Sequence, residues 1–141
     1  MLKVTNLVFL AIIYCILMHS FTEGRVTRKQ LETNQKLIRR ICQPKYNVTS
    51  ELIDGMREGK FPQDHNLMCY VGCVMNFTHS TNVDDAIKNL DIFLPEEMRE
   101  ATKAQILACQ DAHMNATDKC EAAYNTLKCM TEFNPNNYVF P

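Results

Sequence analysis

The chain has 141 residues and a formal net charge of −1. That length fits one domain, and the near-even charge balance excludes the basic field that nucleic acid or an anionic membrane surface would need in a partner. Charged residues are scattered, without blocks, internal repeats or low-complexity tracts.

Lys3 gives a short positive start, and Leu7 to Met18 is an unbroken run of twelve apolar residues. A membrane span needs about 20, so a membrane anchor is the weaker alternative and a signal-peptide core the better fit. Thr22 and Gly24 supply the small residues of a cleavage site, which places the cut after Gly24. Residues 1–24 are then a signal peptide, and 25–141 a helical domain with a C-terminal tail over 131–141. Cys15 leaves with the leader, so seven cysteines become six. An even number in a small exported chain reads as a disulfide framework.

The apolar spacing is helical almost throughout. Thr27 to Gln30 fits a capping box, and Leu31, Asn34, Ile38, Ile41 and Cys42 follow as the inner stripe of a first helix. Pro44 is expected to stop it. Thr49 or Ser50 caps a short second helix with Leu52, Ile53 and Met56 inward, ending near Gly59. Asp64 caps a third, in which Leu67, Met68, Val71 and Met75 form one stripe and Cys69 and Cys73 another. A helix apolar on most of its circumference should be central and buried. Val83, Ile87, Leu90 and Leu94 mark a fourth helix. Pro95, followed by Glu96 and Glu97, starts a fifth that should run to about Ala112. Asn115 or Thr117 caps a sixth, carrying Cys120, Ala123, Tyr124, Leu127 and Cys129. No stretch shows sustained strand alternation, so the expected fold is all-α, a bundle of about six helices. The tail from Phe133 to Pro141 has two prolines and three asparagines and should not be helical. It carries Phe133, Tyr138, Val139 and Phe140, and should fold back, because a loose apolar tail is a liability.

Three chemistries compete for the cysteines. His65, Cys69 and Cys73 make an i, i+4, i+8 ladder that His79 or His113 could complete as a tetrahedral zinc site, but exported cysteines pair in an oxidising compartment. A catalytic cysteine needs a free thiolate beside a base, and no motif marks one; no enzyme activity, metal or cofactor is expected. Pinning remains. Six cysteines allow 15 connectivities. Cys69 and Cys73 project side by side from adjacent turns, which rarely suits a disulfide, and excluding that pair leaves twelve. Cys120 and Cys129 sit on roughly opposite faces of one helix, so they should bond to different neighbours.

The full spacing is Cys42-x26-Cys69-x3-Cys73-x35-Cys109-x10-Cys120-x8-Cys129. In a small exported helical chain this resembles the six-cysteine insect odorant-binding proteins of the pheromone-binding and general-odorant-binding family. The pattern spans most of the chain after the leader and is specific as a whole, whereas a lone Cys-x3-Cys would be weak. The resemblance implies an interlocked pairing, Cys42–Cys73, Cys69–Cys120 and Cys109–Cys129. It also implies an apolar cavity and a role as a secreted carrier of small hydrophobic ligands, odorants or pheromones, in chemosensory fluid, with a chemoreceptor as a conceivable contact. The wall candidates are Met56, Met68, Val71, Met75, Ile87, Leu90, Phe93, Leu94, Met98, Ile106, Tyr124 and Leu127, with Phe133, Tyr138, Val139 and Phe140 as lid. Methionine suits walls that take varied apolar guests. Tyr124, Tyr138 and Asn137 are candidates for orienting a guest's polar group.

Protonation of His65, His79 or His113 is a candidate trigger for the lid. Sequons at Asn47, Asn76 and Asn115 offer glycan sites; Asn47 and Asn115 near helix boundaries are favoured, while Asn76, close to Cys73, is expected to be packed. The competing function is an extracellular helical signalling or interaction protein with an exposed apolar patch and no ligand cavity. A secreted phospholipase-like hydrolase would need a glycine-rich calcium loop that the chain lacks.

Overall fold

The structure is a computed structural model describing residues 8–14, 26–77 and 82–141. Lys3, Cys15, the cleavage positions Thr22 and Gly24, and His79 lie outside the described residues. Residues 8–14 are helical and exposed.

Six α-helices follow among the described residues: α1 (Arg28–Tyr46), α2 (Ser50–Arg57), α3 (His65–Asn76), α4 (Val83–Phe93), α5 (Glu96–Ala108) and α6 (Lys119–Phe133). Each expected helix exists, and the caps explain most of the starts; of the expected inner stripe of α1, however, Asn34 and Ile41 face solvent, because only one narrow side of that helix is covered by its neighbours. Thr27 and Gln30 close a reciprocal capping box, and the side chains of Thr49, Asp64 and Asn82 each accept an N–H in the first turn of α2, α3 and α4.

Three boundaries differ from expectation. Pro44 lies inside the last turn of α1 and does not stop it. At that position only one backbone bond is lost, and the helix ends three residues later at Asn47, which adopts the left-handed conformation (φ 51°) and donates its N–H to the Gln43 and Pro44 carbonyls. Helix α5 ends at Ala108 and not near Ala112; Cys109 leaves helical geometry there, and separate turns occupy residues 109–115. Helix α6 is capped by Asp118, whose carboxylate accepts the Glu121 N–H at 2.9 Å. Thr117, an expected cap, instead donates its N–H and hydroxyl to the Glu121 carboxylate.

Helix α3 is central, as its all-round apolar surface requires. Leu67, Met68, Tyr70, Val71, Cys73 and Val74 are all buried, and α3 packs mainly on α6 and then on α1. The α3–α6 crossing is close at Gly72, where a Cβ would sit 3.8 Å from the Cys120 Cα and 3.9 Å from the Ala123 Cβ. Helices α4 and α5 form a second pair, joined to the rest chiefly through α5 on α6.

The three disulfides are Cys42–Cys73, Cys69–Cys120 and Cys109–Cys129, with Cα separations of 5.9, 4.4 and 5.8 Å. They tie α3 to α1 and to α6, and the end of α5 to α6. The adjacent cysteines of α3 are therefore a double staple. The tail returns to the bundle through one 3₁₀ turn, Pro135–Asn137, in place of wholly irregular chain.

Candidate ligand-binding site

The buried apolar cluster joins α1, α2, α3, α6 and the tail. It includes Met56, Met68, Val71, Tyr124, Leu127 and Phe140, with Met75, Tyr138 and Phe61 packed against it. Eight of the sixteen wall and lid candidates thus meet in one cluster: these six with Met75 and Tyr138. The candidates on the α4–α5 pair stand outside it. Leu90 and Leu94 are buried there, whereas Ile87, Phe93, Met98 and Ile106 are half-buried. Val139 is half-buried in the tail. Phe133 is the last residue of α6 and is 56% exposed, so the tail reaches the core through Tyr138 and Phe140.

Aromatic edges weld the tail to α3. Phe140 lies edge-on to Tyr70 at 6.2 Å and to Tyr138 at 6.5 Å between ring centroids. The Arg57 guanidinium sits over the Tyr138 ring, 5.5 Å from its centroid. Hydrogen bonds add anchors. The Tyr70 hydroxyl donates to the Pro141 carbonyl at 3.3 Å, and the Gln35 amide to the Val139 carbonyl at 2.8 Å. Burial pushes the Tyr70 and Tyr124 hydroxyls up to about 12 and the Tyr138 hydroxyl further, so all three are neutral donors.

Of the three polar candidates, two are committed to the protein. Tyr124 donates to the Pro62 carbonyl at 2.6 Å. Asn137 donates to Gln105 Oε1 at 2.6 Å and to Thr102 Oγ1 at 3.0 Å. Tyr138 differs: its hydroxyl oxygen is buried and has no hydrogen-bond partner.

The zinc ladder is not formed. Cys73 is bonded to Cys42, and Cys69 to Cys120. His65, Cys69 and Cys120 do bring their ligand atoms within 4.8 Å of one another. The two sulfurs are joined, so the arrangement is a disulfide flanked by an imidazole, with His65 Nε2 3.7 Å from Cys69 Sγ and Nδ1 3.8 Å from Asp118 Oδ2. His113 is exposed in the turns after α5. The sequon asparagines Asn47 and Asn115 are exposed. So is Asn76, against expectation: it ends α3 on the outer side of the helix, past the stapled face.

Sequence reasoning missed two features. Gln105 is 2% exposed and holds α6 and the tail through its amide, which donates to the Met130 and Asn134 carbonyls at 2.7 and 3.2 Å. A single glutamine on an amphipathic helix carries no signal of that role. The other is an open groove of about 410 Å³ lined by Glu51, Leu52, Gly55, Lys60, Phe61 and Pro62. Its Phe61 ring lies edge-on to Tyr124 at 5.5 Å, so the groove and the core share a wall.

Residues 25–132 match the family model described as the PBP/GOBP family. The chain belongs to that family. Its relatives include general odorant-binding protein 72 of Anopheles gambiae, 33% identical over 121 residues, 82% of this chain and 99% of the relative. General odorant-binding protein 19a of Drosophila melanogaster is 28% identical, covering 85% of this chain and 87% of the relative. Among solved structures, odorant binding protein 4 of Chrysopa pallens aligns at a TM-score of 0.74 with 35% identity, covering 82% of this chain and 99% of that one. Apis mellifera odorant binding protein 5 aligns at 0.75 with 32% identity, covering 83% and 99%. Such identities bring this member of the PBP/GOBP family close in both sequence and fold to proteins named for odorant binding. No helix among the described residues is long and apolar enough to cross a membrane.

Proposed function

We propose that this protein is a secreted carrier of small hydrophobic molecules, odorants or pheromones among them, and not a catalyst. The observation that carries the proposal is the interlocked disulfide frame of the PBP/GOBP family, closed by a tail that packs aromatic side chains against α3. In this proposal the leader 1–24 is removed and residues 25–141 form the carrier.

The guest sits between the core cluster and the α4–α5 pair. On one side Met56, Met68, Val71, Met75, Tyr124 and Leu127 form its wall; on the other, Ile87, Leu90, Phe93, Leu94, Met98 and Ile106. Tyr138, Val139 and Phe140 close it. The half-buried state of Ile87, Phe93, Met98 and Ile106 supports this assignment, because apolar side chains left part-covered by the protein gain from a guest that covers them. Affinity then scales with buried area at about 25 cal/mol per Å², and micromolar binding corresponds to about −8 kcal/mol.

Titration of the oxidised protein with an environment-sensitive naphthylamine dye, followed by displacement with volatile alcohols, esters and fatty acids, tests the proposal. Saturable micromolar uptake reversed by volatiles is the expected result. Failure of an oxidised, helical sample to take up dye overturns it. The rival interaction-protein reading draws on Leu37 and Ile41, one turn apart on α1 and 57% and 46% exposed, and predicts that negative result.

A further inference from the structure

We propose that the Tyr138 hydroxyl is the hydrogen-bonding group that reads the guest, selecting neutral molecules with one oxygen function over hydrocarbons of the same length. The inference rests on the carrier reading and names its ligand class. Buried polar groups in folded proteins are nearly always paired, and an orphaned hydroxyl costs stability. This interior follows that rule elsewhere: Tyr70 bonds Pro141, Tyr124 bonds Pro62, Asn137 bonds Gln105 and Thr102, and Gln105 bonds the backbone. Tyr138 alone of the three polar candidates keeps a free, buried hydroxyl.

Its setting defines what would bind. The Tyr138 ring packs on the core cluster and edge-on to Phe140, so the ring that carries the hydroxyl is set among apolar side chains. The charges nearest to it are already engaged. Arg39 is paired with Asp54 at 2.6 Å, and Arg57 lies over the ring face. A neutral phenol in such a place donates to a carbonyl or hydroxyl oxygen, or accepts from an alcohol. A hydrocarbon leaves it unpaired and forgoes that bond.

The test compares decane, decanal and decanol as competitors for the bound dye on the oxidised wild type and on Tyr138→Phe. The wild type is expected to bind decanal and decanol about tenfold tighter than decane after correction for aqueous activity, a difference of about 1.4 kcal/mol. Tyr138→Phe is expected to remove that discrimination, bringing decanal and decanol to the affinity of decane. Its ligand-free melting temperature should match or exceed the wild type's, since an unpaired hydroxyl is gone. Discrimination retained in Tyr138→Phe overturns the inference and leaves the carrier reading standing. A ligand-free melting temperature several degrees lower also overturns it, because the hydroxyl would then have a partner within the protein. Absence of dye uptake by the wild type removes the carrier reading itself, and this inference with it.

Discussion

The Asn137 side-chain amide donates to Gln105 Oε1 at 2.6 Å, and this buried bond fastens the tail to α5. The same Gln105 donates from its Nε2 to the last turn of α6 at Met130 and Asn134. One side chain therefore satisfies three groups on two other segments, where water has little access. Replacing it with alanine removes all three hydrogen bonds together, while Met130, Asn134 and Asn137 each keep one other partner. Gln105→Ala is expected to cost about 3 kcal/mol, given about 1 kcal/mol net for each of the three hydrogen bonds lost. Urea denaturation measures the loss, and proteolysis should cut the released tail after Asn134 first.

Gly72 sits in the middle of α3 against Cys120 and Ala123, yet an added Cβ would meet its neighbours only at 3.8–3.9 Å, ordinary van der Waals distance. Alanine is a better helix former than glycine by about 0.5–1 kcal/mol. Gly72→Ala is therefore expected to raise stability by about that amount with dye affinity unchanged. Gly72→Leu should do the opposite, since branches beyond Cβ would wedge α3 from α6 and strain the Cys69–Cys120 staple. Paired melting curves of the two variants check both signs.

The disulfides differ in access. Cys42 is 0% exposed and Cys73 8%, so that bridge is enclosed at both sulfurs, whereas each of the other two has at least one half-buried cysteine, Cys120 in one and Cys129 in the other. Exchange needs a thiolate to reach a sulfur. Mild phosphine or dithiol treatment followed by alkylation and peptide mapping should label Cys42 and Cys73 after the other four. The Cys69–Cys120 bond spans a sequence separation of 51, the longest of the three. The Cys69→Ser, Cys120→Ser double variant is expected to lose about 4 kcal/mol in the chain-entropy account.

Most of the frame was legible in the sequence because it rests on local signals. Helix starts followed from Thr27, Thr49 and Asp64, and the central place of α3 from its continuous apolar surface. The disulfide pairing came from the six-cysteine spacing through family resemblance; geometry alone had left most of the pairings open. What sequence did not give was tertiary in origin. The end of α1 is set by the left-handed turn at Asn47, which overrides the proline three residues before it. The exposure of Asn76 depends on which side of α3 faces its neighbours. The separation of polar candidates into paired (Tyr124, Asn137) and unpaired (Tyr138) depends on carbonyls and amides far away in the chain. The tail was expected to be irregular and to dock; its 3₁₀ turn exists because Asn137 must reach Gln105 and Thr102.

The effect of acid can be worked out from the groups that titrate. Asp54 is held below its ordinary value of 3.8, first by the side-chain bond from Arg39. Glu97 and Glu121 lie below 4.5, Glu97 first through its own backbone N–H and then Arg28, Glu121 first through the Thr117 hydroxyl. A depressed carboxylate pKa means that the fold favours the ionised form. Its contribution is complete above the unfolded value and is lost as pH falls through the folded one. These contributions therefore stay intact from pH 7.5 to 5 and disappear below about pH 4.5. They are small and salt-sensitive, because the carboxylates face water. The tail offers no group that titrates in the upper window either. Its polar partners among the described residues are Gln35, Tyr70, Thr102 and Gln105, with Tyr70 up at about 12, and its charged neighbours are Arg57 and the Arg39–Asp54 pair. His65 faces Asp118 and Cys69 at the far end of α3, and His113 is exposed after α5. Dye affinity and the urea midpoint are thus both expected to be flat between pH 7.5 and 5, with the midpoint falling only below about pH 4.5. A fall in affinity of several-fold by pH 5 would contradict this and restore a histidine trigger for the lid; substituting His65 and His113 in turn would then identify which one acts.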